Sequence, residues 1–228
     1  MHRPHAPMPS TPAQAITRRR VVIAAPTLAT LLVAGGFASP ARASDRMLVG
    51  TVDRLVGEAS VVVGRTTRPL EREAKLFVGD RVMTSAEGRL EIACTDGSTI
   101  IVAAETTVTL SEFTTNADGS GKTAVLDMVE GLVRVSLSRL GVWQRFEVTT
   151  PTAIAAARST EWIVVAEPAH SAVFVVHGRV EVVDRQLLGG VILDPGDGTD
   201  VRTGAPPTVA KRWGQKRVDD VLSRTRLP

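Results

Sequence analysis

From Ser44 onward one local pattern recurs: a short run in which every second residue is apolar, then a glycine or an Asp-Gly pair. The runs cover 49–56, 59–63, 80–84, 90–94, 98–102, 108–113, 132–137, 146–150, 161–165, 172–176 and 179–183. Side chains two apart share one face of an extended chain, so this alternation builds half-buried strands. Valine, isoleucine and threonine dominate the runs, as pleated surfaces favour. Gly57, Gly79-Asp80, Asp96-Gly97, Gly131, Gly178 and Gly189-Gly190 supply turns between them. So many short strands at close spacing predict an all-β domain of many short antiparallel strands.

A weak internal echo bears on the architecture. Glu87-Gly88-Arg89-Leu90-Glu91-Ile92, Glu130-Gly131-Leu132-Val133-Arg134-Val135 and His177-Gly178-Arg179-Val180-Glu181-Val182 share one form, a glycine feeding an alternating strand. Stacked units of this kind predict a solenoid-like or sandwich arrangement. The polar stretch 115–122 is expected to join two antiparallel strands. Past Gly204-Ala205-Pro206-Pro207 the pattern changes. Val209, Trp213, Val221 and Leu222 fall near one helical face, which predicts one C-terminal helix over about 208–225. Its basic residues Lys211, Arg212, Lys216 and Arg217 read as a solvated face.

The N-terminus has a different texture. Residues 1–43 hold five arginines and no acidic residue. Arg18 and Arg19, with Arg20 beside them, precede an apolar stretch that ends in small residues. Ala41 and Ala43 fit an A-x-A cleavage site before Ser44. Adjacent arginines ahead of an apolar run resemble a twin-arginine export signal. The expected organisation is a cleaved signal peptide over 1–43, a β domain over 44–204 and a helical tail over 205–228. The net charge of +3 belongs to the leader: without its five arginines, 22 basic residues face 24 acidic ones. The basic balance therefore carries no nucleic-acid inference. A single cysteine, Cys94, excludes an intrachain disulfide framework and a cysteine-based zinc site.

The ordered motifs of the exported part resemble the FecR-domain family. They are Gly50-Thr-Val-Asp-Arg-Leu-Val-Gly-Glu-Ala-Ser-Val61, Leu76-Phe-Val-Gly-Asp-Arg-Val-Met-Thr-Ser-Ala-Glu-Gly-Arg-Leu-Glu-Ile92 and Asp96-Gly-Ser-Thr-Ile-Ile-Val102. Gly131–Val135, Phe146–Val164 and Val176–Val182 continue the series. Within them Gly79, Asp80, Asp96, Gly97, Ser98, Pro151, Arg158, Thr160 and Gly178 are the motif residues, and turn chemistry accounts for them as structural. Where the family usually has glycine after the arginine, this chain has Ser159. The resemblance implies an exported, non-catalytic β module that binds a protein or a polysaccharide. The family's sensors relay receptor occupancy to a membrane-bound regulator through an N-terminal cytoplasmic domain, where this chain has the 43-residue leader.

Searches for chemistry return structural readings. His170 and His177 lie seven apart in one run, on opposite faces of a strand, which disfavours a joint metal site. Asp194, Asp197 and Asp200 sit in a glycine loop that suits calcium by composition but lacks the EF-hand spacing. Cys94 lies inside an apolar strand and reads as an inert core thiol. Trp143 and Trp162 read as packing residues rather than a sugar-stacking surface. No catalytic residue, cofactor or metal site is assigned, and the expected location is periplasmic or secreted. The function expected is a binding or scaffold module of the envelope, with an envelope protein or a polysaccharide as partner. A cell-wall glycan-acting enzyme and a purely structural secreted protein are the alternative classes.

Overall fold

The computed structural model describes residues 46–115, 121–139 and 143–227. Arg18, Arg19, Ala41 and Ala43 lie outside them. Along the chain the strands are β1 (Leu48–Val56), β2 (Ala59–Val63), β3 (Thr66–Pro69), β4 (Lys75–Phe77), β5 (Arg81–Thr84) and β6 (Arg89–Cys94). They continue as β7 (Thr99–Val102), β8 (Thr107–Thr115), β9 (Lys122–Ser136), β10 (Trp143–Thr149), β11 (Ala153–Ala157) and β12 (Glu161–Glu167). Next come β13 (His170–His177), β14 (Val180–Asp184), β15 (Gly190–Leu193), β16 (Asp197–Arg202) and β17 (Lys211–Arg212), then one helix, α1 (Gln215–Arg224).

The strands form two layers. One runs β3-β2-β5-β8-β9-β10-β11-β14-β15. The other runs β4-β1-β6-β7-β9-β12-β13-β16-β17. All pairings are antiparallel except β9 with β10. The layers stay open, each with two edge strands. Apolar side chains of both fill one core, in which Phe146 of the first layer meets Trp162 of the second at 5.7 Å between ring centroids. The architecture is therefore a sandwich of short, mostly antiparallel strands.

β9 belongs to both layers. Its first half pairs with β8 and β10, and from Gly131 onward it pairs with β7 and β12. The buried positions change parity at the crossing: Ala124, Leu126 and Met128 before it, Val133 and Val135 after it. A strand of fixed alternation would turn its second half outward. Gly131 resolves the conflict with φ +102°, a conformation open to glycine and strained for other residues. Leu132 N–H donates to Thr106 Oγ1 at 3.0 Å and closes the bend. Gly131 is thus a bend within one long strand rather than the turn expected between two. Gly178 does turn the chain ahead of β14, with φ +83°. Of the polar stretch 115–122, residues 116–120 lie outside the described residues; β8 and β9 on either side of it pair antiparallel, as expected.

The tail adds a third layer. α1 is shorter than the expected 208–225. Residues 211–212 pair with β16, Trp213 stacks on Phe174 at 5.1 Å, and Gly214 holds an extended backbone that starts the helix at Gln215. Phe174, Ile163, Leu132, Ala172 and Ala103 form a small apolar patch on the outside of the second layer, which Trp213 and Val221 cover. Val209, assigned to the apolar helical face, is instead exposed.

A Cβ at Gly131 would stand 2.5 Å from Thr106 Cα, on top of the backbone strain. Gly131→Ala is expected to destabilise the fold by at least about 2 kcal/mol, read as a lower midpoint in urea unfolding.

Candidate functional site

Several motif residues converge at one end of the sandwich. Ser98 is fully buried in the Asp96-Gly97-Ser98 turn. Its hydroxyl donates to Asp96 Oδ2 at 2.8 Å and accepts the Ser138 N–H at 2.9 Å and the Trp143 indole N–H at 3.2 Å. Gly97 takes φ +84°. Nearby, Thr160 donates to the Arg179 carbonyl at 3.0 Å and accepts, at its own carbonyl, the Leu137 N–H at 3.0 Å. A Cβ at Gly178 would meet the Ser159 carbonyl oxygen at 2.6 Å, so the Gly178 turn packs directly on the 158–160 bend. Spacing in sequence gave no sign that these residues meet.

The other motif residues lie apart. Asp80 is fully buried, accepts the Phe77 N–H at 2.9 Å and pairs with Arg46. With Gly79 it ties β5 to β8 through the 2.8 Å bond from Gly79 N–H to Leu110 C=O. Pro151 stands in the turn between β10 and β11. There Thr150 Oγ1 accepts the Ala153 N–H at 2.8 Å and the Ser171 hydroxyl at 2.7 Å, and Thr152 donates to Ser171 at 2.6 Å. Arg158 is exposed and faces an open groove of about 680 Å³.

That groove crosses the outer face of the first layer. Arg145, Ala156, Arg158, Arg179, Glu181 and Ile192 line it. One wall is β15, an edge strand carrying the exposed Ile192, 58% accessible, with Leu187 and Leu188 exposed in the preceding turn. Asp184 shapes this turn by accepting the Gln186 and Gly189 N–H groups, each at 2.8 Å. Burial pushes its carboxyl up, but these and neighbouring backbone N–H groups hold it below its ordinary value. The Asp184 N–H bonds the Gly189 carbonyl. Alternation along an antiparallel ladder then leaves the N–H groups of Gly190 and Ile192 pointing away from β14. The other edges are blunted: β3 is fully exposed and ends in Arg68-Pro69, β4 has three residues and β17 has two.

Of the residues considered for metal or nucleophile chemistry, His170, His177, Asp194 and Asp200 have side-chain partners. His170 and His177 mark opposite ends of β13. His170 lies 2.9 Å from Asp200, and His177 lies 3.3 Å from Arg139. Asp194 pairs with Arg179 at 3.0 Å. Asp200 receives two hydrogen bonds from Arg217, at 2.6 and 2.9 Å. Arg217 also lies 3.6 Å over the Trp213 ring, and Arg212 donates to the Pro195 carbonyl. Two of the four tail cations expected to be solvated therefore bind the β layers. Burial, helped by the Asp96 charge, pushes the Cys94 thiol up to about 12, which keeps it un-ionised at neutral pH. Trp143, Trp162 and Trp213 are all buried.

Two predictions follow from these contacts. Ser98→Ala removes the acceptor of the buried Trp143 indole N–H and of the Ser138 N–H and is expected to cost about 2 kcal/mol in urea unfolding. The second concerns Asp200. The Arg217 hydrogen bonds hold its carboxyl below the usual range, burial opposes them, and the His170 hydrogen bond assists. A depressed pKa gives stabilisation that is full above the ordinary carboxylate range and lost as pH falls through the folded value. Acidification below about pH 4 is therefore expected to speed hydrogen exchange in 215–224 ahead of β12 and β13. In Asp200→Asn that exchange is expected to be fast already at neutral pH.

Residues 80–181 match the FecR protein family. Two crystal structures of a candidate anti-sigma factor from Parabacteroides distasonis ATCC 8503, at 1.65 and 2.50 Å, share the fold, each with a TM-score of 0.51 at 21% identity over 62% of this chain. The match spans 64% and 63% of those chains, less than two thirds of their length. No curated protein matches. The matched segment runs from Asp80 at the head of β5 into β14, so this stretch of the β layers is similar to the FecR protein family.

Proposed function

We propose that this chain is an exported, non-catalytic FecR-type binding module of the periplasm or cell envelope, relaying a signal through a protein partner. The FecR match and the fold shared with a candidate anti-sigma factor support a place in signalling. The leader, with Arg18-Arg19 and the Ala41/Ala43 exit, supports export, by the twin-arginine route. Among the described residues no helix is long and apolar enough to cross a membrane. The histidines, the glycine-loop carboxylates and Cys94 have roles in holding the fold, which supports a module without catalysis.

The observation that carries the reading is the β15 edge. It presents outward N–H groups at Gly190 and Ile192, has no charge or proline of its own, and is flanked by exposed Leu187 and Leu188. Natural sheets usually protect such an edge. An extended segment of a partner gains main-chain hydrogen bonds there and an apolar contact at Ile192.

Crosslinking the full chain in intact cells, followed by identification of the captured species, tests this. One envelope protein is expected with the wild type and is expected to be lost with Ile192→Pro. That substitution removes an outward donor while sparing the ladder to β14. Recovery of no specific protein, or equal recovery with Ile192→Pro, overturns the reading.

A further inference from the structure

The register of the first layer brings four charged residues to one end of adjacent strands. Phe146 opposes Ala157, Ala157 opposes Val180, and Val180 opposes Leu193. One residue beyond these last pairs stand Arg145, Arg158, Arg179 and Asp194, at the same end of the layer. Phe146, Ala157, Val180 and Leu193 are buried in the core, and the charged residue next to each is exposed. All three arginines line the groove. Arg145 pairs with Glu147 and Arg179 with Asp194. Arg158, between them, has no carboxylate partner among the described residues. Glu181 is the remaining acid of the groove, opposite Ala156 and Ile192.

Like charges directly opposite on adjacent strands destabilise a sheet. Three guanidinium groups gathered at the ends of adjacent strands, the central one without a carboxylate partner among the described residues, are a cost to the free protein. The arrangement gains when a ligand supplies the missing negative charge. Guanidinium forks match planar or tetrahedral oxyanions, and their hydrogen bonds to such groups are charge-assisted. Gln144 and Ser159 add an amide and a hydroxyl at the same end. The floor at Ala156 is small and the far wall at Ile192 is apolar, which leaves room for the uncharged body of the ligand.

We infer that this groove is a binding site for a ligand bearing carboxylate or phosphate groups, with Arg158 as the central contact and Arg145 and Arg179 beside it. Ser159 contributes its hydroxyl. The site lies on the sheet face, shares Ile192 with the β15 edge, and goes beyond the partner-binding role proposed above.

Calorimetric titration of the full chain with trigalacturonate, tripolyphosphate and neutral maltotriose, at an ionic strength of about 150 mM, tests the inference. At least one anion is expected to bind and raise the melting temperature, and maltotriose is expected to do neither. Preference for trigalacturonate identifies a carboxylated glycan as the source of the chemistry; preference for tripolyphosphate identifies a phosphorylated one. Arg158→Ala is expected to weaken binding by about tenfold or more. Its own melting temperature without ligand is expected to stay level or rise, because a repulsion is relieved. Arg158→Gln keeps most of the bulk and serves if the alanine variant does not fold. Arg68→Ala, on the distant β3 edge, is expected to bind as the wild type. The inference is overturned if neither anion binds, if the Arg158 variants bind as the wild type, or if Arg68→Ala loses as much affinity as they do.

Discussion

One backbone conformation, the positive φ of Gly131, lets β9 serve two layers. An extended chain alternates its side chains strictly, so a strand that leaves one layer for the facing one must change which parity is buried. β9 does so over Glu130-Gly131-Leu132, where Leu132 turns outward to the tail patch and Val133 re-enters the shared core. Everything in the middle of the sandwich depends on this bend. β8 and β10 pair with one half of β9, β7 and β12 with the other. The core cluster that includes Phe146 and Trp162 is enclosed because both halves face it.

The bend also explains why the tail is part of the fold. Leu132, turned outward, joins Ile163, Ala172 and Phe174 in an apolar patch on the second layer. Such a patch favours cover. Trp213 and Val221 provide it, and the position of the tail is fixed electrostatically by Arg217 on Asp200 and by its stacking on Trp213. Removing Asp200's partner would leave a half-buried carboxylate beside His170 alone. The interaction is therefore specific in geometry, and its strength follows the ionisation of one carboxyl.

The alternating runs made the fold class legible. Where valine, isoleucine and leucine occupy every second position, as in 89–94 or 161–167, the strands lie close to where the pattern places them. Strands without that signal were invisible. β11 is Ala-Ile-Ala-Ala-Ala, and alanine carries little strand preference; its place comes from the pairing offered by β10 and β14. β3 is wholly exposed and is specified only by the hairpin with β2. The helix starts at Gln215, after Trp213 has stacked on Phe174 and Gly214 has taken an extended backbone. Of the site, Arg158 was singled out as a motif residue, but Arg145 and Arg179 were not. A cluster across strands is set by register, and register is not written in any local stretch of sequence.

The groove and the β15 edge share a strand, and this has a physical consequence. Ile192 is both a wall of the groove and the central residue of the edge. Arg179, in the arginine cluster, is held by Asp194 immediately after β15. A ligand anion that draws Arg179 toward Arg158 competes with Asp194 for the same guanidinium. Coupling between two sites requires a difference in the contacts each ligand makes in the two states of a shared element. The exposed Arg179–Asp194 pair lies between the groove and the β15 edge, where a contact with either could reach it.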